Sequence, residues 1–96
     1  MNLPDDVLKS IEELAGLFLA PREIAILLDL DGEDLSERIA SGYGPVYKAY
    51  FRGKTQSKKL IHENIVKMAR HGSPQAEELA REMIVQQNSA EKRAKK

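Results

Sequence analysis

Apolar residues recur along this chain at the spacing of helices and not at the strict alternation of strands. Val7, Ile11, Leu14 and Phe18 follow one another at steps of four, three and four, so they share one helix face, with Leu8 and Ala15 widening the stripe. Pro4 opens this first helix, and Asp5 and Asp6 sit where the positive end of the helix dipole favours carboxylates. A second helix begins at Pro21, whose missing donor costs nothing in a first turn, with Ile24, Leu27 and Leu28 as its apolar face. Asp31-Gly32 is a turn signal, and a third helix follows from about Glu33 to Ala40, burying Leu35 and Ile39.

Beyond Gly42-Tyr43-Gly44-Pro45, a short fourth helix carries Tyr47, Tyr50 and Phe51 and is expected to end at Gly53 in a left-handed turn. Thr55 or Ser57 would cap a fifth, with Ile61, Ile65, Met68 and Ala69 on one face, and Gly72 would end it. Ser73-Pro74 pairs an N-cap residue with proline at the first helical position, a sharp start for a sixth helix through Ala76, Leu79, Ala80, Met83 and Ile84. Past Gln86 the apolar pattern stops, which predicts a disordered basic tail over 86–96. The fold class expected is all-α: five to six short helices, an N-terminal three-helix core and a C-terminal helical hairpin. Residues 1–45 would form that core, with 46–85 packed on it as one domain.

Composition narrows the function. With 96 residues, 42% hydrophobic and 31% charged, the chain suits one small globular domain. The absence of cysteine excludes disulfides, zinc-thiolate sites and cysteine nucleophiles. No apolar run reaches the ~18 residues of a membrane helix, and the acidic start Asp5-Asp6 is unlike a signal peptide. A cytoplasmic chain without a membrane partner is expected.

A formal net charge of zero hides a strong polarity. Residues 1–45 hold ten acids and three bases, whereas 46–96 hold twelve bases and five acids. Such a chain suits either a polyanion held by its basic half or head-to-tail contact between copies.

Enzyme motifs fail individually. His62-Glu63 begins a zinc helix of the H-E-x-x-H type, but Val66 stands where the second histidine belongs. Asp29, Asp31 and Glu33 echo the start of a calcium loop, yet Asp34 occupies the glycine position and Ala40 that of the closing glutamate. Gly42-Tyr43-Gly44 lacks a third glycine and follows no strand, and there is no phosphate-binding G-x-x-x-x-G-K-[ST] loop. No catalytic residue, cofactor or metal ligand is assigned, and the expectation is a non-enzyme.

Residues 21–40, PREIAILLDLDGEDLSERIA, have the form of a helix-turn-helix, with Ile24, Ala25, Leu28, Leu30 and Leu35 at its apolar or small positions. The third helix is an unusual reader of DNA, since it presents Glu33, Asp34 and Glu37; Ser36 and Arg38 are its candidate base contacts. A rival surface is the basic run of Lys48, Arg52, Lys54, Lys58 and Lys59, suited to phosphates. Part of it reads equally as a solvated helix face, because Lys59, Glu63 and Lys67 stand at i,i+4 spacing with alternating sign. Tyr47, Tyr50 and Phe51 beside these bases suit packing better than base stacking.

The order of these parts resembles phage terminase small subunits and related prophage helix-turn-helix proteins. The residues carrying it are Ile24-Ala25 to Leu35, Tyr47-x-x-Tyr50-x-x-Gly53-Lys54, and Ile61 to Met68-Ala69-x-x-Gly72-Ser73-Pro74-x-Ala76 with Leu79. The last stretch is the most specific, and the resemblance spans roughly residues 10–85. It implies a double-stranded DNA binder acting in packaging within the bacterial host cytoplasm, a homo-oligomer, and a large terminase subunit as partner. Two departures stand out: the acidic third helix, and the short stretch after the sixth. The other expectations are a protein-interaction module joining acidic and basic halves, and a small transcription regulator that binds half-sites as a dimer.

Overall fold

The computed structural model describes residues 2–94. It is all-α, with five helices: α1 (Asp5–Ala15), α2 (Pro21–Leu28), α3 (Gly32–Ala40), α4 (Pro45–Arg70) and α5 (Pro74–Ala94). The chain divides into two compact units, Met1–Lys58 and Lys59–Lys96. The division falls inside α4, not at residue 45, because the first half of that helix supplies core residues to the unit before it.

In the first unit, Ile11, Ala15, Ile24, Ala25, Leu35, Ile39, Val46 and Tyr50 make one buried cluster. Leu3, Val7, Leu8, Leu14, Leu19, Leu28, Leu30 and Ala49 pack around it. Ile11 and Ile24 are fully buried. The periodicity of α1 therefore holds through Ala15, but Phe18 departs from it. The helix tightens at its end, where Leu17 N–H donates to the Leu14 carbonyl (3.0 Å) and Phe18 N–H to that of Ala15 (2.9 Å). Phe18 then takes a left-handed φ of 62° and is exposed.

Pro21 opens α2, and Glu23 Oε1 reaches back to accept from Ala20 N–H at 2.8 Å, half of a capping box. Its inward face is Ile24 and Ala25 with half-buried Leu28, whereas Leu27 points outward. The helix ends in a Schellman motif: Leu30 N–H donates to the Ala25 carbonyl (2.8 Å), and Asp29 lies at φ 56°. Asp31 then caps α3, its Oδ1 accepting from Asp34 N–H at 2.9 Å. Leu35 and Ile39 are buried as the spacing predicts.

The short fourth and fifth helices expected on either side of Gly53 are one helix of 26 residues. Gly53 is buried in its interior, and a Cβ there would overlap the carbonyl oxygen of Glu12. It therefore serves the close approach of α1 to α4 and not a left-handed helix end. The left-handed end comes at Gly72, φ 91°, where Ser73 N–H donates to Met68 (3.2 Å) and Gly72 N–H to Ala69 (3.0 Å), a second Schellman motif.

Ser73 caps α5 through its Oγ, which accepts from Ala76 N–H at 3.3 Å, and Pro74 follows at the first position. The helix continues to Ala94, so 86–94 are helical where the apolar pattern predicts a disordered tail; Lys95 and Lys96 lie outside the described residues. Good helix formers such as Gln86, Gln87, Glu91 and Lys92 sustain a helix without an apolar face.

Among the described residues of the second unit, Ala76 is the buried apolar side chain. Ile65, Ala69, Ala80 and Met83 are half-buried, while Ile61, Met68, Leu79 and Ile84 are exposed. Met68 is thus a surface residue and not core. No described helix is long and apolar enough to cross a membrane.

Candidate nucleic-acid interface

The basic residues of the first unit fall into separate environments, set by where α4 turns its faces. Its buried side carries Val46, Tyr50 and Gly53. One i,i+4 pair, Lys48 and Arg52, flanks that side next to α1, and a second, Lys54 and Lys58, lies around the helix from it.

Lys48 and Arg52 line a groove of about 320 Å³ with Leu8, Lys9 and Glu12 of α1 and with Pro45 and Ala49. All three bases are exposed, so their ammonium and guanidinium groups remain hydrated and free to exchange water for a phosphate oxygen. Lys9 belongs to the acidic half of the sequence, and nothing adjacent to it signals a site. It joins Lys48 and Arg52 only because α1 and α4 run close together at Glu12 and Gly53. Glu12 stands in the same groove and offsets part of its positive potential.

Lys54 is in a different situation. Its Nζ lies 5.5 Å from the Tyr50 ring centre and 5.2 Å from that of Phe51, within range of a cation–π attraction. Tyr50 and Phe51 pack edge to face at 5.2 Å and 80°, and Tyr47 and Phe51 pack tilted at 4.8 Å and 45°. Tyr50 is buried, Tyr47 half-buried and Phe51 at the rim, so this cluster packs as the residue types suggest. Lys58 is exposed on α4. Lys59 belongs to the second unit, where its Nζ pairs with Glu63 Oε1 at 3.0 Å.

Of the two candidates on α3, Arg38 is drawn into the helix's own structure. Arg38 Nε donates to Asp34 Oδ2 at 3.1 Å, an i,i+4 ion pair between half-buried side chains. Such a pair contributes only a few tenths of a kcal/mol, about 0.3–0.5, but it holds the guanidinium toward a carboxylate. Ser36 is half-buried, while Glu33 and Glu37 are exposed. A second shallow cavity, at the junction of α3 and α4, is lined by Asp34, Glu37, Arg38, Ser41 and Tyr43 among others. Its charge is net acidic, the opposite of what a phosphate backbone requires.

Among the described residues no group of three or more histidine, aspartate or glutamate side chains is placed to hold a metal ion. In comparisons with known proteins, the chain matches no family model, no curated protein and no solved structure.

Proposed function

We propose that this chain is a non-enzymatic DNA-binding protein of phage or prophage origin that grips duplex DNA by its phosphates. The reading rests above all on one observation: Lys9, Lys48 and Arg52 converge on one open groove of the first unit. Three exposed bases line that groove, and phosphate contacts from such bases supply most sequence-independent affinity. The helix-turn-helix form of α2 and α3 adds support, through the tight turn at Asp29–Asp31 and the buried Ile24, Ala25 and Leu35. With Glu33 and Glu37 exposed and Arg38 held by Asp34, α3 contributes positioning at most.

The resemblance to terminase small subunits gives this binding a context: recognition of DNA for packaging, by a homo-oligomer that recruits a large terminase subunit. In that context the chain works in the bacterial cytoplasm and carries no ATPase chemistry of its own.

The test is fluorescence anisotropy of a labelled random duplex titrated with the full chain at several salt concentrations. Three phosphate contacts give a log–log salt slope of about −3, and each base reversed to glutamate flattens it by about one. Lys48→Glu and Arg52→Glu should do so, whereas Lys59→Glu, already paired with Glu63, should change the slope little. No binding at ~50 mM salt with protein up to ~100 μM would reject the reading, since even non-specific DNA binders associate in that range.

A further inference from the structure

Two cavities of the first unit meet at Pro45, which lines both. On one side is the groove of Lys9, Lys48 and Arg52; on the other is the cavity at the junction of α3 and α4, of about 340 Å³. The second has a size at the lower end of the range for small-molecule sites. Its charged lining is Asp34, Glu37 and Arg38, and since Arg38 pairs with Asp34 at 3.1 Å, Glu37 sets its sign. A phosphate is repelled there. A neutral group with N–H donors is not, because the Glu37 carboxylate is exposed and accepts hydrogen bonds.

Tyr43 forms a wall of the same cavity and is 76% exposed. Gly42 at φ 80° and Gly44 at φ 94° turn the chain on either side of it, a conformation that residues with a Cβ rarely adopt. Ser41 Oγ braces the turn by donating to the Arg38 carbonyl at 2.6 Å. Tyr47, Tyr50 and Phe51 pack on one another, whereas Tyr43 offers its ring to solvent beside a polar cavity.

We propose that the adjoining cavities take a nucleotide whose base is unpaired, as in single-stranded DNA. Its phosphate sits in the groove of Lys9, Lys48 and Arg52, its base stacks on Tyr43, and an exocyclic amino group donates to Glu37. The inference rests on the reading of that groove as a phosphate site and adds the kind of nucleic acid it receives. A positive groove with an aromatic platform beside it is the general means of holding single strands, since every base has a π-face. Within a duplex the bases are stacked on one another and offer Tyr43 no open face, so α3 does no more there than position the helix. The carboxylate gives the cavity a preference: cytosine presents an amino donor where thymine presents a carbonyl oxygen, which Glu37 repels.

Fluorescence anisotropy of the full chain tests this, with labelled oligo-deoxycytidine and oligo-deoxythymidine of about 12 nucleotides beside the random duplex. The wild type should bind oligo-deoxycytidine at least about threefold more tightly than oligo-deoxythymidine. Tyr43→Ala should weaken oligo-deoxycytidine at least about fivefold while leaving duplex affinity within about twofold, and Tyr43→Phe should bind like the wild type. Because the side chain is exposed, neither variant should alter thermal melting. Glu37→Gln should abolish the difference between the two strands, since an amide offers a donor as well as an acceptor.

Three results would overturn this inference and leave the phosphate groove standing. They are duplex binding without binding of oligo-deoxycytidine, a Tyr43→Ala variant whose affinities for strand and duplex change alike, and equal wild-type affinity for the two strands. Absence of binding to duplex and strands together would overturn both readings.

Discussion

Gly53 fixes how closely α1 and α4 approach, because its absent side chain leaves room for the Glu12 carbonyl. Gly53→Ala introduces a Cβ where backbone already stands, and backbone cannot rotate aside as a side chain tip does. Overpacking of this kind costs about 1–3 kcal/mol, and here the upper end is expected. The midpoint of thermal denaturation should fall by more than about 10 °C. A variant melting with the wild type would show that the helices do not meet at this point. The sequence around Gly53 reads as a helix end because glycine commonly marks one, and the carbonyl that requires it comes from a distant part of the chain. Lys9 was illegible for the same reason: its partners Lys48 and Arg52 reach it through tertiary packing. Arg38, by contrast, has its partner Asp34 one turn away, a pairing open to inspection in the sequence.

Among the elements, starts were legible and ends less so. Pro4, Pro21, Asp31 and Ser73-Pro74 each act on the first turn of their own helix, so the signal and its effect are neighbours. The end of α1 instead depends on where α2 must begin. The chain turns through Leu17 and Phe18 to reach Pro21, and the stripe that counted Phe18 as core stops short of it. The caps also differ in how well they are made. Asp31 holds Asp34 N–H at 2.9 Å, whereas Ser73 holds Ala76 N–H at 3.3 Å. Asp31→Ala should therefore destabilise by about 1 kcal/mol, and Ser73→Ala by about 0.5 kcal/mol. Urea denaturation followed by circular dichroism checks the order, and a larger loss at Ser73 would contradict it.

At the scale of the molecule, the buried cluster belongs wholly to the first unit, from Ile11 to Tyr50. An expressed segment of residues 1–58 should unfold cooperatively on heating, with a single transition. Residues 59–94 expressed alone should show little helix by circular dichroism, because Ala76 is their buried apolar residue and packing supplies most helical stability in proteins. Strong helicity in that second segment would show that its helices need no help. The polarity of charge visible in the sequence survives at this scale, but its boundary moves into α4, where hydrophobic packing and not composition sets the division.

The continuity of α4 has a kinetic consequence. Starting a helix in water is unfavourable by roughly a factor of a thousand, about 4 kcal/mol, whereas extending one already formed is close to neutral. The segment from Lys59 to Arg70 has no core of its own to drive nucleation, yet it follows without a break from a turn clamped by Val46 and Tyr50. It can therefore grow by propagation from a nucleus that the first unit supplies. Helix in the second unit thus becomes conditional on folding of the first, and amide exchange along this single helix should quicken steadily from Tyr50 toward Arg70.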